Sequence, residues 1–159
     1  MGGLGDSKGK LVLKIYNFGK RHKFKKGPYH KLCMGVYTLL NWVIVVGMFN
    51  TELHVTKDIG NINLYHPYGV IIHMSSVLKD GVTVRQQVTI GNKGGSDDSH
   101  ECPIIEENVD IGAGAKIIGN VRIGKNSKIG ANAVVTKSFP ENSILVGVPA
   151  RDISKRDKK

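Results

Sequence analysis

The feature that most constrains the fold of this 159-residue chain is an aliphatic residue at every sixth position. The stretch "IGAGAKIIGNVRIGKNSKIGANAVV", residues 111–135, has isoleucine at 111, 117, 123 and 129 and valine at 135. An amphipathic helix requires apolar residues every three or four positions, and a simple strand every second one. A period of six is instead typical of a coil of short flat segments, each turning one aliphatic side chain inward. The sequence therefore predicts an all-β fold, a left-handed parallel β-helix of hexapeptide repeats.

The same period extends upstream in phased blocks that are separated by two breaks. The earlier anchors are Leu53, Ile59, Ile72, Leu78, Val84, Ile90 and Ile105. The position four after most anchors is small or compact, as a corner of the coil requires: Ser76, Val82, Val88, Val109, Ala115, Val121, Ser127 and Ala133. The second break holds "GNKGGSDDSHEC", which predicts an extruded loop at about 92–102. The alternative is a β-sandwich with accidental spacing.

The charge of the chain divides it into three parts. Its formal net charge is +10, and residues 1–31 alone hold nine basic residues and one acidic residue. We predict a basic N-terminal segment with one or two helices over 1–51, the β-helix over 52–140, and a C-terminal segment with a basic tail over 141–159. The basic ends favour solubility or attraction to an anionic surface. No nucleic-acid-binding module surrounds them, so nucleic acid is not an expected partner.

The segment 32–51 is twenty residues long and carries no charge, a length that could span a bilayer. Its Asn, Thr and Gly residues favour a buried helix that packs on the end of the coil or on a neighbouring subunit. A short helix over 11–18 is expected before it. The alternative is peripheral membrane contact through this N-terminal segment. Two cysteines without metal-type spacing, and no evident secretory signal, predict a cytoplasmic protein, with the inner face of the membrane as the variant location.

A β-helix of this kind has flat sides that need cover, so we expect a homotrimer with sites in the clefts between subunits. The reactive side chains that could point into such a cleft are few: Glu52, His54, His66, His100 and Cys102. His66 is favoured because it lies at the first break in the repeat and precedes Pro67, which keeps it extended. For any single histidine, an ordinary surface role is the alternative.

Residues of about 50–151 resemble the serine acetyltransferase branch of the hexapeptide acyltransferases. The stretches that carry the resemblance are "NLYHPYGVIIHMSSVLKDGVTVRQQVTIGN" and "IGAGAKIIGNVRIGKNSKIGANAVVTKSFPENSILVGVPAR". "HPYGVII", "GNKG" and the "CP" after the loop look closest to acetyltransferases of exopolysaccharide and capsule synthesis, such as the colanic acid type. The resemblance implies acetyl-CoA as the acetyl donor, and no metal.

The resemblance also implies roles for single residues. His66 falls on the catalytic histidine, and Glu52 falls on an acid that orients it. His100 lies in the loop that supplies a substrate-binding histidine, although Cys102 takes that place by strict count. Contacts to coenzyme A are implied at five positions: Ala113, Ala131, Thr136, Lys137 and Arg151.

One departure from the family bears on the substrate. The family carries an aspartate before its catalytic histidine, where this chain has Tyr65. An amino acid substrate needs a carboxylate for its ammonium group, whereas a sugar hydroxyl does not. We also expect no counterpart of the long helical N-terminal domain that the family uses to pair trimers. We therefore predict transfer of an acetyl group to a hydroxyl of a sugar or polysaccharide precursor, with L-serine as the alternative acceptor.

The expected chemistry is general base catalysis. A hydroxyl needs a base near neutral pH, and a histidine such as His66 can take the proton and return it to the leaving thiolate. A route through an acetylated Cys102 is disfavoured because nothing in its acidic surroundings would lower the pKa of a thiol. Two further hypotheses stay open: a carbonic anhydrase with three histidines on zinc, from among His54, His66, His73 and His100, and a non-catalytic scaffold.

Overall fold

The computed structural model describes residues 6–94 and 101–154 of the chain. Two helices come first: α1, Ser7–Lys23, and α2, Pro28–Leu40, which continues as wider π-helical turns over Asn41–Met48. Fourteen short strands follow in this described part. They are β1 Glu52–Leu53, β2 Asn63–Leu64, β3 Ile71–Ile72, β4 Val77–Leu78, β5 Thr83–Val84, β6 Thr89–Gly91, β7 Ile104–Ile105, β8 Asp110–Ile111, β9 Lys116–Ile118, β10 Arg122–Ile123, β11 Lys128–Ile129, β12 Val134–Val135, β13 Ile144–Val146 and β14 Arg151–Asp152.

The strands form the three faces of a prism, as a left-handed parallel β-helix requires. A five-stranded sheet has the order β1-β3-β6-β9-β12, a three-stranded sheet the order β10-β7-β4, and a six-stranded sheet the order β14-β13-β11-β8-β5-β2. All pairings are parallel except β13 with β14, which is antiparallel. The predicted fold is confirmed. β6 ends at Gly91 and β7 begins at Ile104, and part of the loop predicted between them, residues 95–100, lies outside the described residues.

The core of the prism consists of the predicted anchors stacked turn upon turn. All twelve anchors in the chain are buried, and Leu78, Val84, Ile90, Ile105 and Ile117 have no exposed surface. The small residues four positions later are buried as well, so they fill the core beside the anchors. One aliphatic group per face is enough because consecutive turns supply the remaining contacts of each side chain.

The coil contains turns that the six-residue count does not predict, one at the first break and one at its C-terminal end. Leu64 lies inside the first break, is buried, and pairs with Val84 in the six-stranded sheet, so this turn is complete although out of phase. At the other end, Leu145 is buried and pairs with Ile129. The coil therefore continues to Val146 rather than ending at 140.

The N-terminal helices pack on the first turns of the coil. Asp6 caps α1 by accepting from the Lys8 backbone N–H at 3.1 Å. Four basic residues occupy the last turn of α1, where positive charge interacts favourably with the negative end of the helix dipole. The predicted short helix over 11–18 lies inside α1. Pro28 begins α2, since its missing N–H costs nothing in a first turn.

Within the single chain, most of the uncharged segment is exposed rather than buried, and its packing on a neighbouring subunit stays a prediction. Cys33, Tyr37 and Val45 are buried, but most of the other side chains over Pro28–Met48 face outward, and only 17% of its most apolar window is buried. The helix is long and apolar enough to cross a membrane by length and composition. The apolar side chains of this helix are exposed because α1 and the coil cover only one of its sides.

Candidate active site

Two edges of the prism carry most of the predicted site residues. The first edge joins the six-stranded sheet to the five-stranded sheet and consists of residues 65–70, 85–88, 112–115 and 130–133. The second edge joins the five-stranded sheet to the three-stranded sheet and consists, among the described residues, of 73–76, 92–94, 101–103, 119–121 and 136–138. The outer face of the five-stranded sheet lies between them.

The first edge is a continuous ladder of backbone hydrogen bonds. Gln87 N–H donates to the Tyr68 carbonyl at 2.8 Å, and Gly114 N–H donates to the Gln86 carbonyl at 2.9 Å. Asn132 N–H then donates to the Ala113 carbonyl at 2.8 Å. The corner after His66 is therefore stacked directly in line with the corners that hold Ala113 and Ala131.

His66 occupies the first corner of this edge in a left-handed backbone conformation, with φ of +51°, so the extended conformation expected before Pro67 is wrong. Its side chain is 65% exposed, and its carbonyl accepts from Tyr68 N–H at 2.6 Å. Asparagine or glutamine fills the other non-glycine left-handed positions of the described chain: Asn50, Gln87, Asn108, Asn126, Asn132 and Asn142. Histidine at this corner is thus an exception among the residue types that occupy left-handed positions in the described chain.

The acid beside His66 is Asp6, which the sequence did not suggest. Asp6 Oδ2 accepts from the His66 backbone N–H and lies 3.8 Å from His66 Nδ1, and its side chain is only 8% exposed. Burial raises the pKa of Asp6, but the backbone donors of His66 and Lys8 and the charge of His66 outweigh it, so the pKa is lowered overall. The carboxylate therefore stays ionised beside the imidazole.

Glu52 occupies a different place from the one predicted. It lies on β1, exposed on the outer face of the five-stranded sheet and in register with Ile71. Within 6–94 and 101–154, no hydrogen bond or ion pair joins Glu52 to His66. Tyr65 is 40% exposed and lines a small cavity of about 70 Å³ with Asp6.

Glu52 instead lines a larger cavity at the second edge. This cavity, of about 350 Å³, is bordered by Glu52, His54, His73 and Asn92 and by apolar side chains of β3 and β9. His73 Nδ1 lies 3.0 Å from Cys102 Sγ, and it also accepts from Ser75 N–H at 3.2 Å. The expectation that nothing near Cys102 could activate its thiol is therefore wrong, because an imidazole is in contact with it.

The remaining predicted residues lie towards the C-terminal end of the coil. Thr136 and Lys137 are exposed on the second edge, where Lys137 Nζ is 5.4 Å from the centre of the Phe139 ring. Arg151 begins β14, directly after Ala150, whose N–H donates to the Val134 carbonyl at 2.8 Å. His100 lies outside the described residues. No group of three or more His, Cys, Asp or Glu residues that could hold a metal ion occurs in the described ranges.

The comparisons with known proteins agree with this fold. The family model of the bacterial transferase hexapeptide (six repeats) matches residues 102–137. The serine acetyltransferase of Haemophilus influenzae is 44% identical over 108 residues, which are 67% of this chain and 40% of that protein. That of Escherichia coli K12 is 41% identical over 111 residues, 69% of this chain and 40% of that protein.

Solved structures give the same relationship over more of the chain. Serine acetyltransferase from Brucella abortus superposes with a TM-score of 0.76 and 33% identity over 92% of this chain and 57% of the other. Its complex with coenzyme A has a TM-score of 0.74 and 32% identity over 92% of this chain and 56% of the other.

The fold and the repeat together define the class of protein. The chain is a left-handed β-helix protein that contains transferase hexapeptide repeats. The particular proteins that it resembles are serine acetyltransferases. The chain spans about two fifths of the length of the sequence relatives that it matches. The closeness to exopolysaccharide acetyltransferases predicted from short motifs is not supported by these comparisons.

Proposed function

We propose that this chain is an acetyl-CoA-dependent O-acetyltransferase in which His66 is the general base. The observation that carries the proposal is the hydrogen-bonded first edge, which aligns the His66 corner with Ala113 and Ala131. Neighbouring strands of a sheet are about 4.8 Å apart, so the three turns of the coil that separate Tyr68 from Ala131 span roughly 14 Å. An extended pantetheine arm lying along this edge would bring its thioester towards His66.

The reaction then follows from the contacts of His66. The free ring nitrogen, Nε2, takes the proton of the acceptor hydroxyl as the oxygen attacks the thioester carbonyl carbon. The C–S bond breaks, and the proton passes from the imidazolium to the departing thiolate of coenzyme A. Asp6 stabilises the imidazolium from the Nδ1 side and is a positioning residue, in the role that the sequence assigned to Glu52.

The phosphates of coenzyme A need cations, and Lys137 and Arg151 supply them in this proposal. Both are exposed at the C-terminal turns, and neither forms an ion pair within the described ranges. The thiol end would therefore lie towards the N-terminal turns, and the nucleotide end towards the last ones.

A homotrimer would complete the site. His66, Ala113 and Ala131 lie on the first edge, whereas Thr136, Lys137 and Cys102 lie on the second edge, across one face of the same prism. In a threefold ring, one edge of each copy faces the other edge of its neighbour, because the interface is heterologous. Such a ring would unite both groups of residues in one cleft.

L-serine is the first acceptor that we propose, because the relatives identical at 41–44% are serine acetyltransferases. A sugar or glycan hydroxyl is the second candidate, favoured by Tyr65, which places no carboxylate directly before His66.

Release of coenzyme A from acetyl-CoA, followed with a thiol reagent, tests both acceptors with the purified chain. L-serine and a set of mono- and oligosaccharides are compared at equal concentration, and the products are checked by mass spectrometry. Acetylation of serine alone would assign the serine activity, and acetylation of a sugar alone would assign the other. Binding of acetyl-CoA without transfer to any hydroxyl would argue for a non-catalytic scaffold.

A further inference from the structure

The helix over Pro28–Met48 presents an apolar stripe to its surroundings. We use the name apolar stripe for its exposed large side chains: Tyr29, Leu32, Val36, Leu39, Trp42, Val43, Val46 and Met48. Leu32 and Trp42 are each 70% exposed. The spacing is three or four residues along most of the stripe, so these groups lie along one side of the helix. The opposite side carries Tyr37 and Val45, which are buried in the core that the helix shares with α1 and the coil.

Unpaired cations border one end of the stripe. Arg21, Lys25, Lys26 and Lys31 are exposed, and none of them forms an ion pair in the described chain. Lys20 and Lys23 of the same helix end point elsewhere, because they donate to the carbonyls of Ile59 and Val55. Residues 7–51 contain no acidic residue at all. The four exposed cations therefore have no acidic partner on the two helices themselves.

We propose that this surface docks on an anionic lipid bilayer, with the helix lying in the plane of the interface. The stripe would enter the boundary between headgroups and acyl chains, while the four cations meet the lipid phosphates. Trp42 and Tyr29 suit this position because their rings combine a large apolar surface with a polar atom. The proposal gives the prism a fixed orientation, with the first turns of its coil towards the membrane.

The same contacts argue against a helix that crosses the bilayer. A cross-membrane placement would take α1 with it, since a side chain at Gly19 would lie 2.6 Å from ring atoms of Tyr37. α1 exposes Lys10 and Lys14, whose burial in hydrocarbon is costly. Phe49, directly after the helix, is buried in the core shared with the coil, so that end cannot leave the protein.

Charge also argues against a second copy of this chain as the occupant. Pairing two such surfaces would bring together two sets of cations with no acidic residue between 7 and 51 to compensate them. An anionic bilayer supplies the complementary charge as well as the apolar phase. The two occupants are distinguishable by experiment.

The test uses the full chain and vesicles of two compositions, pure phosphatidylcholine and an equimolar mixture with phosphatidylglycerol. Co-sedimentation measures partition, and Trp42 reports insertion, because it is the single tryptophan of the chain. We expect binding to the anionic vesicles, a blue shift of the Trp42 emission, and weakening at high salt. Lipids brominated near the headgroup should quench Trp42 more than lipids brominated near the chain ends.

Two double variants test separately the insertion of the apolar side chains and the attraction of the cations to anionic lipid. Leu32→Ser with Leu39→Ser should abolish the blue shift. Lys25→Gln with Lys26→Gln should weaken partition into anionic vesicles by about 20- to 30-fold at low salt, at roughly fivefold for each charge. The matched controls are Ile144→Ser with Val148→Ser, and Lys79→Gln with Lys128→Gln, which change exposed residues of the coil. The controls should bind like the unmodified protein.

Three outcomes would overturn the proposal. The first is the absence of sedimentation with anionic vesicles. The second is binding that both the leucine double variant and the lysine double variant leave unchanged. The third is a Trp42 emission already blue-shifted without lipid and red-shifted on dilution, which would make a second copy the occupant. Stronger quenching by bromine near the chain ends would refute the in-plane orientation.

Discussion

The substitution His66→Asn separates the chemical role of His66 from its structural role. Asparagine is the residue that the chain places at five of its other left-handed positions, so it suits the backbone φ of +51°. Asp6 accepts from the backbone N–H of residue 66, and that bond is kept in the variant. With a side chain that is 65% exposed, the change should alter the free energy of unfolding by no more than about 0.5 kcal/mol.

The effect on turnover should be much larger. Loss of a general base lowers kcat by about 10²–10⁴-fold, which corresponds to roughly 3–5 kcal/mol of activation free energy. Acetyl-CoA binding should be preserved, because His66 would contact the acceptor hydroxyl rather than the nucleotide.

The assay follows coenzyme A release on whichever acceptor the unmodified protein uses. Thermal unfolding and the dissociation constant for acetyl-CoA are recorded on the same preparation. A folded His66→Asn protein with near-normal kcat would refute the role of His66 as base. His54 and His73, which line the larger cavity, would then be the candidate bases. A large loss of melting temperature would instead show that the corner itself requires histidine.

Three further changes test other parts of the structure. Asp6→Ala should cost about 1 kcal/mol at neutral pH through loss of the α1 cap. Because the folded-state pKa of Asp6 is lowered, its contribution is complete above the pKa of the unfolded chain and is lost as pH falls through the folded value. The melting temperatures of variant and unmodified protein should therefore converge in acid, and a constant difference down to the lowest pH would contradict the linkage. Ile117→Ala should cost about 2–5 kcal/mol in denaturant unfolding, since its side chain is fully buried, while Ile118→Ala on the partly exposed side should cost clearly less. Lys137→Ala with Arg151→Ala should raise the dissociation constant for acetyl-CoA more than it lowers kcat at saturation, as titration calorimetry would measure; an unchanged constant would remove both from the cofactor site.

The sequence by itself determined the architecture. A six-residue period needs only local information, because each anchor repeats the same inward position and the turns then stack on one another. Ile111, Ile117, Ile123 and Ile129 are therefore buried where the count predicts. The same count predicts the polar, glycine-rich loop for the complementary reason, since residues 91–102 include no aliphatic side chain that could enter the core.

Only the tertiary structure decided which side chains meet. Asp6 and His66 are 60 residues apart, and Cys102 and His73 are 29 apart across the extruded loop, so no period relates either pair. Leu64 joins the coil out of phase because parallel pairing with Val84 compensates for its irregular spacing. The exposed side of the helix over Pro28–Met48 also depends on packing. An uncharged sequence shows that apolar surface exists, whereas the positions of α1 and the coil decide which part of it remains uncovered.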